Sequence, residues 1–285
     1  MPYAQSIQHI LHYFDSTTLQ QPKDASTPIM MIHGLGSSQN YWMPVISELA
    51  PTYRCIALDS YGAGRTKSQG EKVTLEGLAD DVVLLMDELK IKKAVIAGHS
   101  MGGTMAVVIA SKYPDRVAGI VPVGPVNPGS VKPEMFSSRI ETVLKGMLRS
   151  CSASAHDPRV LMPETEGMEP LANTIPKAAT SEKSTALTRA FVRELILQSD
   201  PKSYASHCQA IVDAKEPDFG AVKAASLILA GREDKSAPLE GCQFIHEHIG
   251  SAHKKLDVLE DCGHWHCVER PSEVAQKIRG FCAAL

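Results

Sequence analysis

Long apolar runs are missing from these 285 residues. Stretches such as Leu227-Ile228-Leu229-Ala230 have the length of a strand, far short of the ~20 residues a membrane-spanning helix needs. The opening, Met1-Pro2-Tyr3-Ala4-Gln5-Ser6, holds neither a basic nor an apolar segment, so no secretory signal is expected. An excess of one charge sign is also missing. The 29 basic and 32 acidic side chains leave a net charge of −3, which is no footprint for nucleic acid or an anionic membrane. The seven cysteines form no C-x-x-C pair; they read as free thiols in a reducing compartment, and a cytoplasmic location is expected. Cys282-Ala283-Ala284-Leu285 matches a prenylation box, but it follows a helix-like stretch with no basic tract, so it is expected to stay unmodified. Without H-E-x-x-H or paired-cysteine spacing, no metal site is expected.

What is present is a chain with enough apolar residues, 44% against 21% charged, to bury a substantial core. Short apolar runs alternate with helix-like stretches. Strands are expected at Ser6–Phe14, Pro28–His33, Arg54–Asp59, Ala94–Ala97 and Val117–Val123, with helices at Asn40–Ala50, Leu75–Leu89 and Met101–Tyr113. The alternation resumes with a strand at Leu227–Ala230, a helix at Leu239–Ile249, a strand at Leu256–Leu259 and a helix at Ser272–Phe281. This order predicts a mostly parallel sheet covered by helices on both faces. Between Gly124 and Asp218 only helix-like segments occur (Glu134–Arg149, Thr185–Gln198, Lys202–Val212). The expected organisation is a core from 1–124 and 219–285 with a helical cap at 125–218, a lid over the active-site edge of the sheet.

Gly98-His99-Ser100-Met101-Gly102 matches G-x-S-x-G between a strand and a helix. In that context the motif is a nucleophile elbow: a sharp turn that lifts Ser100 to the strand end, beside helix N-terminal amides. A serine needs a base to take its proton. Of the eleven histidines, His9 and His12 fall in the first strand region, and His246 and His248 stand two apart and do not share a helix face. His264, in Asp261-Cys262-Gly263-His264-Trp265, follows the last strand and can reach back over Ser100; His266 is its competitor. Gly231-Arg232-Glu233-Asp234 leaves another strand end on the same edge, and Asp234 is the expected acid. Two amides should stabilise an oxyanion: those of Met101 and of Leu35, the latter in His33-Gly34-Leu35-Gly36. His33 is expected to make a structural hydrogen bond beneath that loop.

These motifs, with Asp59-Ser60-Tyr61-Gly62-Ala63-Gly64, give the chain a resemblance to the α/β-hydrolase superfamily over about two-thirds of its length. Within it, the chain resembles small capped serine esterases and enol-lactonases. The resemblance implies the α/β-hydrolase fold, the chain order Ser100, Asp234, His264, and cofactor-free hydrolysis through an acyl-enzyme. A serine at position 100 sets it apart from relatives with an aspartate nucleophile. Carbon–carbon bond hydrolases usually carry asparagine where His99 stands, although Trp265 is similar to them.

The expected partner is a small apolar or weakly polar ester or lactone, with Trp42, His99 and Trp265 as substrate-binding candidates. Leu35, Met43, Met101, Phe136 and Phe191 are further wall residues, and the cap methionines and leucines (Met135, Met147, Leu148, Leu161, Met162, Met168) supply adaptable apolar surface. No arginine pair stands out to clamp a carboxylate, though Arg139, Arg189 and Arg193 fall in the cap. A ligand-binding receptor with slow turnover, or a carbon–carbon bond hydrolase or lyase, remains the alternative.

Overall fold

The computed structural model describes residues 3–5, 9–154 and 167–285; Leu161 and Met162 lie outside them, as do the side chains of Met147 and Leu148. Its strands are β1 (Tyr3–Gln5), β2 (Ile10–Asp15), β3 (Asp24–Ile32), β4 (Tyr53–Leu58), β5 (Ala94–His99), β6 (Val117–Val123), β7 (Ala225–Gly231) and β8 (Lys254–Leu259). They form one sheet in the order β1-β2-β4-β3-β5-β6-β7-β8. The β1–β2 and β2–β4 pairs are antiparallel and every other pair is parallel. Strands β5 to β7 are buried almost throughout, which is why they read as unbroken apolar runs: helices cover both faces.

The core helices are α1 (Met43–Leu49), α2 (Leu75–Glu88), α3 (Met101–Lys112), α8 (Leu239–His248), α9 (His266–Glu269) and α10 (Pro271–Cys282). In α2, the Thr74 side chain accepts from the Gly77 amide, and a stripe including Leu78, Val82, Leu85 and Met86 is buried. Between β6 and β7 lie α4 (Pro133–Ser154), α5 (Glu169–Ala178), α6 (Ala186–Leu197) and α7 (Pro201–Val212); α4 packs on α7, and α5 on α6.

Three expectations are corrected. In place of one N-terminal strand there is an antiparallel pair, with Tyr3 opposite His12. The helix expected from Asn40 starts as a 3-10 turn at Gln39–Trp42 and becomes α-helical only from Met43, with Pro44 in its first turn. Helix α5 was not expected; Pro170 and Pro176 break up its apolar spacing, yet Pro170 sits in the first turn, where no amide bond is lost.

Candidate active site

Ser100 stands between β5 and α3 with φ 54° and ψ −115°, a strained left-handed backbone for a serine. The turn is tight enough to demand glycine on both sides. A Cβ at Gly98 would fall 1.9 Å from the Gly102 carbonyl oxygen, and one at Gly102 would fall 2.5 Å from that of Ile32. The buried strand end thus presents Ser100 Oγ at the sheet edge where the loops after β7 and β8 converge.

Those loops bring Asp234 and His264 to it. Ser100 Oγ lies 3.0 Å from His264 Nε2, and His264 Nδ1 lies 2.8 Å from Asp234 Oδ2. The other carboxylate oxygen of Asp234 accepts from the amides of Ser236 and Ala237, each at 2.8 Å. This fits a neutral imidazole with Nδ1–H donating to Asp234 and Nε2 free to accept from Ser100. Burial pushes the Asp234 carboxyl up, but the charge and hydrogen bond of His264, the neighbouring His266 and the Ala237 amide outweigh it. Asp234 is held below the usual carboxylate range.

His266 does not compete for Ser100. Its Nδ1–H donates to the His264 carbonyl oxygen at 2.8 Å, and His99 Nε2–H donates to the same oxygen at 2.7 Å. Burial, first of all, holds both imidazoles below the usual histidine range. They therefore grip the loop as neutral donors and do not repel a charge formed on His264.

The loop after β3 completes the edge. His33 Nδ1–H donates to the Gly34 carbonyl at 2.7 Å, and the Ser60 amide donates to His33 Nε2 at 3.1 Å. Across a trans peptide the C=O and the next N–H point opposite ways, so His33 aims the Leu35 N–H away from itself. Among the described residues neither the Leu35 nor the Met101 amide has an acceptor.

Ser100 lines a cavity walled on the core side by Leu35, His264 and Trp265. From the insertion come Phe136 and Arg139 of α4, Ile175 of α5, Ile196 of α6 and Tyr204 of α7. Of the three substrate-binding candidates, Trp265 lines this cavity and Trp42 and His99 do not. Trp42 is fully buried because the 3-10 turn capped by Ser38 rolls it under Tyr41, and His99 is stacked on Tyr41 at 4.2 Å. Leu35 and Phe136 line the cavity, whereas Met43, Met101 and Phe191 are not among its walls.

The three cap arginines part ways. Arg189 holds Thr180 and Ser181, Arg193 pairs with Glu169, and Arg139 alone lines the cavity. Among the described residues Arg139 pairs with no carboxylate; its neighbours are the Phe136 ring, 5.5 Å away, and the Tyr204 hydroxyl. Sequence reasoning did not single it out, since helical spacing alone could not say which cap arginine faces inward. The described residues hold no His/Cys/Asp/Glu group suited to a metal, and no helix among them is long and apolar enough to cross a membrane.

Parallel topology and a strand–turn–helix serine, with the Asp234 and His264 loops on neighbouring strand ends, give the chain the α/β-hydrolase fold, and it resembles members of that superfamily. The family model for the alpha/beta hydrolase fold matches residues 27–159. Among curated proteins the chain is 26% identical to 3-oxoadipate enol-lactonase 2 of Acinetobacter baylyi, over 92% of this chain and 94% of that one. It is 25% identical to 2-hydroxymuconate semialdehyde hydrolase of a Pseudomonas species, over 91% and 88%. Among solved structures it resembles the enol-lactonase from Burkholderia xenovorans LB400, with TM-score 0.82 and 25% identity over 99% of this chain and 100% of that one.

Proposed function

We propose that this chain is a serine hydrolase of carboxylic esters or lactones of modest size, and that its 125–218 segment caps the site. The observation that carries the reading is the hydrogen-bonded run from Ser100 through His264 to Asp234 at the mouth of a largely apolar cavity. Ser100 Oγ attacks the carbonyl carbon as His264 Nε2 takes its proton, and Asp234 stabilises the imidazolium. The Leu35 and Met101 amides, unpartnered in the described residues, hold the oxyanion. His264 then protonates the leaving alkoxide, which departs from an ester and stays tethered in a lactone. Water activated by His264 releases the acid and restores Ser100.

Arg139 adds one feature to the apolar or weakly polar substrate read from the sequence. A half-buried guanidinium with no carboxylate partner in the described residues costs desolvation that an incoming anion would repay. The favoured substrate is therefore an ester or lactone whose far end is a carboxylate, as in products of an oxidised, ring-opened or dicarboxylic type. With a hydrogen bond to a charged group contributing ~1.5–3 kcal/mol, Arg139→Gln should lower kcat/KM about 10- to 100-fold for 4-nitrophenyl hydrogen glutarate. The same change should leave 4-nitrophenyl butyrate within about threefold, and equal losses on both esters would remove the anion preference.

The activity itself is tested by intact-mass labelling with a fluorophosphonate at neutral pH. One adduct on the wild type and none on Ser100→Ala, together with ester turnover, is the expected result. No adduct on folded wild type sinks the reading, and an adduct without turnover of any ester or lactone favours a slow receptor or a carbon–carbon bond hydrolase.

A further inference from the structure

Glu269, at the end of the short helix α9, has no part in the chemistry just described, yet its carboxylate collects four donors. Oε2 accepts from the Ser181 amide at 2.7 Å, the Ser184 hydroxyl at 2.7 Å and the Gly263 amide at 3.1 Å. Oε1 accepts from the Trp265 amide at 2.9 Å. Gly263 and Trp265 are the two residues flanking His264, while Ser181 and Ser184 belong to the insertion, in the turn between α5 and α6. One side chain thus ties the backbone on both sides of the candidate base to the candidate cap.

Two other contacts close the same knot. The His264 amide donates to the Ala179 carbonyl at 2.8 Å. At Gly263 the two segments touch so closely that a Cβ would fall 2.8 Å from the Ala179 carbonyl oxygen, the Ser181 amide nitrogen and the Thr180 carbonyl carbon. Ala179 also lines the cavity beside Ser100 and His264. Ala179 is consequently cavity wall and, with Ser181 and Ser184, backing for the His264 loop. Among the described residues no cation pairs with Glu269, so its charge is met by neutral N–H and O–H dipoles whose directions it fixes.

We propose that Glu269 is a positioning residue for His264: it aims the base by clamping both flanking amides, and it makes residues 179–184 of the insertion one rigid unit with the base loop. This rests on the reading of His264 as the base. It implies that the insertion is anchored at its 179–184 end, and that a substrate pressing on Ala179 or Trp265 acts directly on the geometry of His264.

Glutamine is an informative replacement because it keeps the size. It supplies one acceptor oxygen and turns an NH₂ toward donors on the other side, so one set of bonds fails whichever way it sits. Displacing a catalytic group by about an ångström costs on the order of 100-fold. Glu269→Gln should lower kcat for 4-nitrophenyl butyrate about 10- to 100-fold with KM within about threefold. Lys183→Ala is the control: it removes the exposed Lys183–Asp261 bridge between the same two segments and should leave kcat unchanged. A folded E269Q chain with wild-type kcat, a loss confined to KM, or an equal loss in K183A would overturn the proposal.

Amide hydrogen exchange on the unaltered chain supplies a second test that needs no variant to fold. The Ser181, Gly263 and Trp265 amides should exchange through one shared opening, with protection alike to within about threefold. An unprotected Ser181 beside protected Gly263 and Trp265 overturns the coupling. Absence of any hydrolysis by the wild type would instead defeat the proposed function, and the exchange result would still decide whether this knot is one unit.

Discussion

Replacing Ser100 by alanine should lower kcat for any ester or lactone the chain hydrolyses by about 10⁴-fold or more, with little change in KM. The reason is local. Among the described residues Ser100 Oγ makes one side-chain hydrogen bond, to His264 Nε2, so its loss removes the proposed attacking atom and little else. The backbone bonds that hold the elbow, from the Ser100 amide to Val123 and from Gly103 and Thr104 to the Ser100 carbonyl, do not involve the side chain. The strained φ of 54° is set by the strand, the helix and their glycines, and alanine pays the same strain. The S100A chain should therefore melt within a few degrees of the wild type. Adding His264→Ala to it should cost nearly nothing more in kcat, because the two groups act as a unit. Steady-state kinetics on the single and double variants checks both statements, and additive losses would separate serine and histidine into unrelated roles.

The parallel part of the fold was readable because its physics is repetitive. A strand buried on both faces must be apolar at every position, and a helix laid over it must be apolar on one side. Runs such as Ala94–Ala97 and stripes such as that in Leu75–Leu89 carry that signature without any partner being known. The antiparallel N-terminal pair was not readable: β2 is partly exposed, and its register depends on β4 and β1, not on its own pattern. Helix α5 was hidden by its prolines for the reason already given.

The site divides along the same line. Residues fixed by local turn geometry could be placed in advance: Ser100 by the glycines about it, and Asp234 and His264 by their positions at strand ends. Residues fixed by packing between distant segments could not. Trp42 looked like a pocket wall, but the Ser38-capped turn buries it. His99, adjacent to Ser100, spends its imidazole on Tyr41 and the His264 carbonyl. Arg139 and Glu269 owe their surroundings to the meeting of the insertion and the core, which no spacing within either one encodes. Glu269 leaves one faint trace: it reaches back four residues to the amide of its own helix cap, Trp265, much as a capping-box glutamate reaches back three.

Asp234→Asn should be nearly as damaging as loss of the serine, about 10⁴-fold in kcat, without disturbing the geometry. An asparagine can still accept from the Ser236 and Ala237 amides through its oxygen. Its NH₂ then faces His264 Nδ1, which must become an acceptor, and the imidazole proton moves to Nε2, where it blocks the transfer from Ser100. The same substitution has a consequence for stability. Asp234 is held below its ordinary range, so its ionised form stabilises the fold above the unfolded value near ~3.9. That contribution is fully present at neutral pH and is lost as pH falls through the lower folded-state value. The D234N chain has no such titration. The melting temperature of the wild type should accordingly exceed that of D234N at pH 7, and the gap should narrow as the pH drops below about 4. A gap independent of pH would mean that the carboxylate contributes only its shape and its hydrogen bonds, leaving the charge on Asp234 with no part in holding His264.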